Sequence, residues 1–342
     1  MSRKNLNVIK KIPNLLKYKL KNKKINLIYK EFNKNLSIKE NFIVAVSGGP
    51  DSLTLAFLAK IYSIKNHLDC KFYIVDHKIR PESTKEAKKV KKILKQNFIE
   101  AEILTWKGKK PVKIKQSLAR EKRYELLFAK CHKYKIKNIL LGHHQDDLLE
   151  NFFIRILRGS GLKGLISLDK KSKVYNINLL RPLIDCKKSD LEFASKHVFD
   201  FYVQDPSNKD EKYQRIRIRK LIREFEKDGL DKKKFIKTLD NLKHSNNVIK
   251  FYINKNLEKN SYYSDTKNRL ILSKEFFEQS YEVIFRSFSE SIHLIGNKYY
   301  PARGKKIEKI INDLKNNRIF KATLGGCIIE KVNQTVIISK EN

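Results

Sequence analysis

Phe42-Ile43-Val44-Ala45-Val46-Ser47-Gly48-Gly49-Pro50-Asp51-Ser52-Leu53-Thr54-Leu55-Ala56-Phe57-Leu58-Ala59-Lys60 joins a short apolar run to a helical one through a turn of small residues. The run at 42–46 is β-branched and brief, which suits a strand buried on both faces. The two glycines allow a tight turn and close backbone approach. Ser52 opens a helix whose free N–H groups and positive dipole end favour an anion. Asp51 is placed to hold the magnesium that accompanies a nucleotide. The loop lacks the Gly-x-x-x-x-Gly-Lys-Ser/Thr spacing of the common phosphate loop and has no lysine to reach outer phosphates, which argues against a kinase or GTPase.

Working outward, strands and helices alternate. Strands are expected at 42–46, 71–76, 101–106 and 138–142, with helices from 52, at 83–97, at 114–134 and from 145. Such alternation predicts an α/β fold with a doubly wound parallel sheet covered by helices on both sides. Ligands in such sheets bind beyond the carboxyl ends of the strands, where the polar clusters of this sequence fall. Asp76-His77-Lys78-Ile79-Arg80-Pro81-Glu82-Ser83 follows the second strand, an address for a base or ribose or simply a polar loop. Gly142-His143-His144-Gln145-Asp146-Asp147-Leu148-Leu149-Glu150 follows the fourth. Asp147 and Glu150 share one helix face, where paired carboxylates could hold magnesium or an ammonium group. His143 and His144 could polarise a leaving oxygen or contact phosphate. The pattern lacks the i, i+4 histidine pair of a zinc protease. Arg120 and Arg123 share a face of the preceding helix, directed either to the cleft or to solvent.

The net charge of +38 points to a polyanionic partner. Part of that charge is a lysine, isoleucine and asparagine bias of the kind an AT-rich coding sequence produces, so arginine is the sharper signal. Seven of the 15 arginines, Arg155, Arg158, Arg181, Arg215, Arg217, Arg219 and Arg223, lie between 155 and 223, and guanidinium grips phosphate bidentately. This region is expected to face RNA or a nucleotide. Cys70, Cys131, Cys186 and Cys327 stand far apart, which argues against zinc, a cluster or a disulfide framework and for a reducing cytoplasm. The apolar runs are much shorter than the roughly 20 residues of a spanning helix, so no membrane association is expected.

Residues 1–37 read as a basic N-terminal arm, 38–223 as the nucleotide domain, 224–295 as a helical region with Lys-rich faces and 296–342 as a small α+β C-terminal module. Phe276, Phe277, Ile284, Phe285, Phe288, Ile292 and Leu294 have core-like spacing. Residues 319–330 and 335–339 suggest a hairpin, and Tyr299-Tyr300-Pro301-Ala302-Arg303-Gly304 sets stacking rings beside a guanidinium, a candidate RNA contact.

Ser47 to Ser52 resembles the Ser-Gly-Gly-x-Asp-Ser pyrophosphate loop of the N-type ATP pyrophosphatases, which split ATP to AMP and pyrophosphate. The wider ordered set resembles the tRNA(Ile)-lysidine synthases. It comprises that loop, Val75 to Ser83, Ala119 to Tyr124, Gly142 to Glu150, Arg158-Gly159-Ser160-Gly161, Arg181-Pro182-Leu183, and Asp205-Pro206-Ser207-Asn208 with Arg215, Arg217 and Arg219, and it covers roughly residues 32–223. The resemblance implies an adenine nucleotide α-hydrolase-like domain using ATP and Mg2+. ATP adenylates the C2 oxygen of the wobble cytidine in the CAU-anticodon isoleucine tRNA, and free L-lysine displaces AMP. It implies nucleotide binding by Ser47, Gly48, Gly49, Pro50, Asp51, Ser52, His77 and Arg80. It implies catalysis by Asp51, Asp147, Glu150, His143 and Arg120, with Asp51, Asp147 and Glu150 as metal ligands. It implies tRNA contacts from Arg158, Arg181, Arg215, Arg217, Arg219 and Arg303. It leaves a homodimer open. One departure stands out: the last basic motif usually reads Arg-Asn-x-x-Arg, whereas Ile216 occupies the asparagine position here.

Two related classes fit less well. A tRNA 2-thiolation enzyme usually calls on a Cys-x-x-Cys pair, and a glutamine-dependent amidotransferase needs an amidase domain with its own cysteine. A non-catalytic RNA-binding protein would explain the charge and leave Asp51, Asp147 and Glu150 without purpose.

Overall fold

The computed structural model describes residues 11–108, 116–174, 176–204, 210–265, 268–298 and 302–341. The chain divides into two units, Met1–Asp231 and Lys232–Asn342. In the first, α1 (Asn14–Leu20) and α2 (Lys23–Asn35) precede β1 (Phe42–Val46), α3 (Pro50–Lys65), β2 (Cys70–Asp76), α4 (Ser83–Gln96), β3 (Ala101–Thr105), α5 (Gln116–Tyr134) and β4 (Asn138–Leu140). Then come α6 (Gln145–Ile156), α7 (Leu162–Leu165), β5 (Lys171–Val174), β6 (Ile177–Leu180), α8 (Lys188–Phe199) and α9 (Gln214–Lys227).

The six strands are ordered β3-β2-β1-β4-β6-β5. β1 pairs in parallel with β2 and β4, β2 with β3, and β4 with β6. The expected parallel sheet is present, with one addition: β5 runs antiparallel on β6 at the edge. The fourth strand also ends at Leu140, two residues earlier than its apolar run suggests.

Strand periodicity sorts the core. Phe42, Val44 and Val46 of β1 and Phe72 and Ile74 of β2 point to one face, where they meet buried residues of α3, α4 and α8. Nearly every side chain of α3 from Ser52 to Ile64 is buried, as expected of a helix that is apolar all round. Thr54 stays satisfied inside by donating from Oγ1 to the Leu191 carbonyl at 2.9 Å, which ties α3 to α8. On the opposite face Tyr73 lies beneath α5, with the Lys130 ammonium 5.3 Å from its ring centre.

Residues 14–35, expected as part of a basic arm, instead form α1 and α2. Their lysines point outward while Leu16, Ile25, Ile28, Tyr29 and Phe32 are buried. Burial of these five side chains, at about 1.5–3 kcal/mol each, outweighs the solubility of the lysines. Asn22 caps α2, its side-chain oxygen accepting from the Lys24 and Ile25 N–H groups at 3.0 and 3.3 Å. Residues 1–10 lie outside the described residues.

The second unit contains α10 (Lys232–Asn260), β7 (Ser261–Ser264), β8 (Arg269–Leu272), α11 (Tyr281–Gly296), α12 (Gly304–Lys315), β9 (Lys321–Leu324), β10 (Cys327–Val332) and β11 (Thr335–Lys340). Its sheet is antiparallel, in the order β7-β8-β11-β10-β9. The β7–β8 hairpin falls within the stretch read as helical. Alternation at Leu270 and Leu272, both buried, and Asn268 at φ +46 are its local causes. Phe276, Ile284, Phe288 and Ile292 are core residues as their spacing predicts, whereas Leu294 is 67% exposed because it sits off the Ile284-Phe288-Ile292 stripe. Among the described residues no helix is long and apolar enough to cross a membrane.

Candidate active site

The turn after β1 is shaped by what cannot fit there. Gly48 has φ +86, and a Cβ at this position would lie 2.6 Å from Val90 and 2.9 Å from Val203. The Val203 N–H donates to the Gly48 carbonyl at 2.9 Å, so the segment leaving α8 fixes the turn from outside. Pro50 occupies the first turn of α3, where its missing N–H costs nothing. Inside the turn, Ser52 Oγ accepts from the N–H groups of Ser47 at 3.0 Å and Gly48 at 3.1 Å and donates to the Gly49 carbonyl at 3.0 Å. The loop amides thus converge on one oxygen, as they would on a phosphate oxygen. The end of β4 closes against the same helix start: a Cβ on Gly142 would be 3.1 Å from backbone atoms of Asp51 and Ser52, which cannot yield.

This loop forms one wall of a cavity of about 470 Å3 beyond the carboxyl ends of β1, β2 and β4. Ser47, Asp51, Ser52, His77, Arg80, Arg120 and His143 all line it, joined by Asp76, Arg123, Tyr124 and Tyr213. Asp76 itself is buried by its own loop. It accepts from the Lys78 N–H and Ser83 hydroxyl at 2.9 Å each and from the Thr84 hydroxyl at 2.7 Å. Burial opposes its charge, but those three donors hold the carboxyl below its ordinary value. Asp76 therefore shapes the loop that presents His77 and Arg80. His77 meets Trp106 edge-on at 6.4 Å, and Arg80 pairs with Glu86 at 3.1 Å. Arg120 donates to the Tyr124 hydroxyl at 3.3 Å and lies over its ring.

Behind the cavity runs a chain of ionisable side chains. The Asp51 carboxylate is 3.6 Å from His144 Nε2, which is 3.6 Å from Asp147. Asp147 also accepts from the His144 N–H at 3.0 Å, bracing the first turn of α6. Burial pushes the Asp51 carboxyl upward; His144 counters this and Asp147 adds to it. Asp147 is held low: burial works against its charge, but His144 and Arg215 outweigh it. Burial depresses His143 to about 3, so it is a neutral imidazole at physiological pH.

Asp147 and Glu150 are brought together as the helix spacing predicts, but they face arginine. Arg215 Nη2 lies 2.5 Å from Asp147, Arg215 Nε bonds Glu150, and Arg219 Nε lies 2.6 Å from the other Glu150 oxygen. Arg215 and Arg219 are one turn apart on α9, so one helix face meets the other. These two arginines, expected on the tRNA face, thus neutralise the carboxylates. Arg181, expected with them, is 5% exposed and donates to the Asp169 carbonyl at 2.8 Å and the Ser172 hydroxyl at 3.0 Å. It braces the β5–β6 hairpin and is not a surface phosphate contact. Arg217 bonds the carbonyls of Glu211 and Lys212 from an exposed position, and Arg158 reaches Gln214 at 3.4 Å. Arg303 is exposed at the start of α12 in the second unit. Asp205 to Asn208 and Tyr299 to Pro301 lie outside the described residues.

Comparison with known proteins adds the family. The PP-loop domain model matches residues 19–225. The tRNA(Ile)-lysidine synthase of Wolbachia pipientis wMel is 32% identical over 303 residues, covering 87% of this chain and 70% of that protein. Its counterpart in Orientia tsutsugamushi strain Boryong is 33% identical over 314 residues, covering 87% and 69%. That of Rickettsia felis is 28% identical over 335 residues, covering 92% and 74%. Among solved structures, the U34-tRNA thiolase NcsA from Methanococcus maripaludis aligns with a TM-score of 0.55 at 18% identity, covering 65% of this chain and 79% of the thiolase, a likeness of fold alone. With the loop at 47–52 and the carboxylates of α6 in place, the chain belongs to the tRNA(Ile)-lysidine synthase family, PP-loop enzymes that use ATP to form lysidine at the wobble position of tRNA(Ile).

Proposed function

We propose that the cavity at 47–52 is where the wobble cytidine of a CAU-anticodon isoleucine tRNA is adenylated and then joined to free L-lysine. One observation carries this reading: the cavity walled by the phosphate loop also presents Asp51, Arg120 and His143 beyond the carboxyl ends of the parallel strands. The loop amides, a carboxylate for a metal and a guanidinium thus face one space, which suits release of pyrophosphate from ATP.

In the first step the C2 oxygen of cytidine bonds to the α-phosphorus of ATP and the bond to pyrophosphate breaks. The amides of Ser47 and Gly48, now gathered on Ser52 Oγ, hold the departing pyrophosphate. In the second step the lysine ε-nitrogen bonds to carbon 2, AMP leaves with the former C2 oxygen, and the amine gives up a proton. His77 and Arg80, on the loop after β2, face the nucleoside. Arg120 serves phosphate or the lysine carboxylate, and neutral His143 hydrogen-bonds at the reacting oxygens.

Asp51 fits a magnesium ion. Its Oδ1 is buried at the cavity with no protein partner, and it lies at the amide end of α3 where phosphate oxygens would complete the coordination. Magnesium there would neutralise charge on the leaving pyrophosphate. Asp147 and Glu150 fit a cation less well, since both already carry guanidinium partners, so they are assigned to orienting the lysine amine. The second unit, with Arg303, is assigned to the body of the tRNA, and a tRNA substrate implies a cytoplasmic setting.

The test is incubation with ATP, labelled lysine and tRNA transcripts bearing a CAU anticodon. Label retained in the isoleucine tRNA, with AMP and pyrophosphate released, supports the reading. ATP consumption without lysine transfer, or equal labelling of methionine tRNA, refutes it.

A further inference from the structure

A second cavity, also of about 470 Å3, adjoins the phosphate loop. Its walls are α4, the end of α8 and the segment Phe201-Tyr202-Val203. Glu86 lines both cavities, and Val203 is the residue whose N–H holds the Gly48 carbonyl. A chain of nucleotides with one base in the first cavity therefore has this second one as its neighbour.

The chemistry of the walls is selective. Lys89 and Lys196 stand on two different helices and are both exposed. The Lys89 ammonium lies 4.4 Å from the centre of the Phe201 ring, so the ring turns a face toward a cation. Of the two acids present, Glu86 is held by Arg80 at 3.1 Å, and Asp200 sits at the left-handed turn that ends α8. With Glu86 neutralised by Arg80, the two lysines outnumber the one remaining acid, Asp200, beside half-buried aromatic faces. That combination recognises a nucleobase together with its phosphate, and it reads stacking rather than sequence. The size falls within the range of sites for small organic ligands.

We propose that this cavity receives the unpaired nucleotide next to the wobble cytidine, its base against Phe201 and Tyr202 and its phosphate between Lys89 and Lys196. The proposal rests on the reading that the cytidine reacts at loop 47–52. Seating the neighbour here would hold the wobble base in register with the loop, because Val203 joins the two sites through Gly48.

The test uses two tRNAs, each carrying 2-aminopurine at one of the two positions flanking the wobble cytidine. With the wild-type chain, fluorescence at one position is expected to be quenched on binding. Phe201→Leu should abolish that quench and weaken tRNA affinity about tenfold, with KM for ATP unchanged within about twofold. The paired substitution Lys89→Ala and Lys196→Ala, at exposed positions that leave the fold intact, should weaken binding and lower its salt dependence by about 1–2 phosphate contacts. A quench that persists unchanged in these variants overturns the proposal. So does a defect confined to KM for lysine, which would make this an amino-acid site. Lysidine formed by the wild type with no quench at either position overturns the proposal and leaves the functional reading standing; no lysidine from unlabelled tRNA overturns both.

Discussion

Removing the Arg215 guanidinium tests the charge chain behind the cavity. Arg215 bonds both Asp147 and Glu150, and Glu150 is buried, its side chain only 3% exposed. Breaking a fully buried ion pair from one side costs about 3–5 kcal/mol, because the remaining charge stays desolvated. Two features reduce that here: Arg215 is 41% exposed, and Arg219 continues to serve Glu150. The expected loss for Arg215→Gln is about 2 kcal/mol, or about 4–8 °C in Tm for a unit of this size. The only tryptophan, Trp106, is buried in the same unit, so its fluorescence reports this unit alone during thermal or urea unfolding. The sign of the pH dependence follows from Asp147, whose folded-state pKa is held below its unfolded value. Its contribution is complete above an unfolded pKa of about 3.9 and is lost as pH falls toward the folded one. The difference between wild type and variant should therefore be full at neutral pH and shrink below about pH 4. In a double-mutant cycle, Glu150→Gln should cost clearly less on the Arg215→Gln background than alone. Additive losses, or a gap that widens in acid, would show that the carboxylates do not depend on this arginine.

Asp51→Asn should lower tRNA-dependent AMP formation by at least about 100-fold while tRNA affinity stays within about twofold; wild-type turnover would remove Asp51 from the chemistry. Ser52→Ala strips the acceptor from two loop amides, so the free protein should lose about 1–3 kcal/mol, again followed at Trp106, and a saturating nucleotide should restore much of it by supplying phosphate oxygens. Equal destabilisation with and without nucleotide would contradict that exchange. His143, depressed to about 3 by burial, should show no imidazole titration between about pH 5 and 8 in an NMR titration. Because it folds neutral, its stabilising contribution is complete above about pH 6.5 and declines as pH falls toward 3; an observed transition near neutrality would place it in water.

The parts of the fold legible in the sequence were those with local causes. A β-branched run, two glycines and an apolar helix specify strand, turn and helix within about 20 residues, and each alternation after it repeats that logic. The polar clusters after β1, β2 and β4 converge because a parallel sheet puts all its carboxyl ends at one edge. What composition obscured was amphipathicity: the lysines of 14–35 hid Ile25, Ile28 and Phe32, spaced for one buried helix face. Arg181 was misplaced because an arginine count cannot distinguish a guanidinium facing solvent from one buried at a hairpin with its Nη groups on a carbonyl and a hydroxyl.

The pairing of α9 with α6 was beyond local reading, since 65 residues separate Glu150 from Arg215. Both halves of the signal were nevertheless present, two carboxylates on one helix face and two arginines a turn apart on another. Their meeting changes what the carboxylates can do. Two bare, buried carboxylates would grip a lysine ammonium and hold it protonated, raising its pKa above the ordinary value of about 10.4 and removing the lone pair that must attack carbon 2. With Arg215 and Arg219 in place, the group has two positive charges for two negative ones. On the proposed assignment of Asp147 and Glu150 to the lysine amine, carboxylates already paired with guanidinium would stabilise the ammonium form less than bare ones. Arg215 and Arg219, which resembled tRNA contacts, would on that assignment keep the acidic pair from holding the proposed nucleophile protonated.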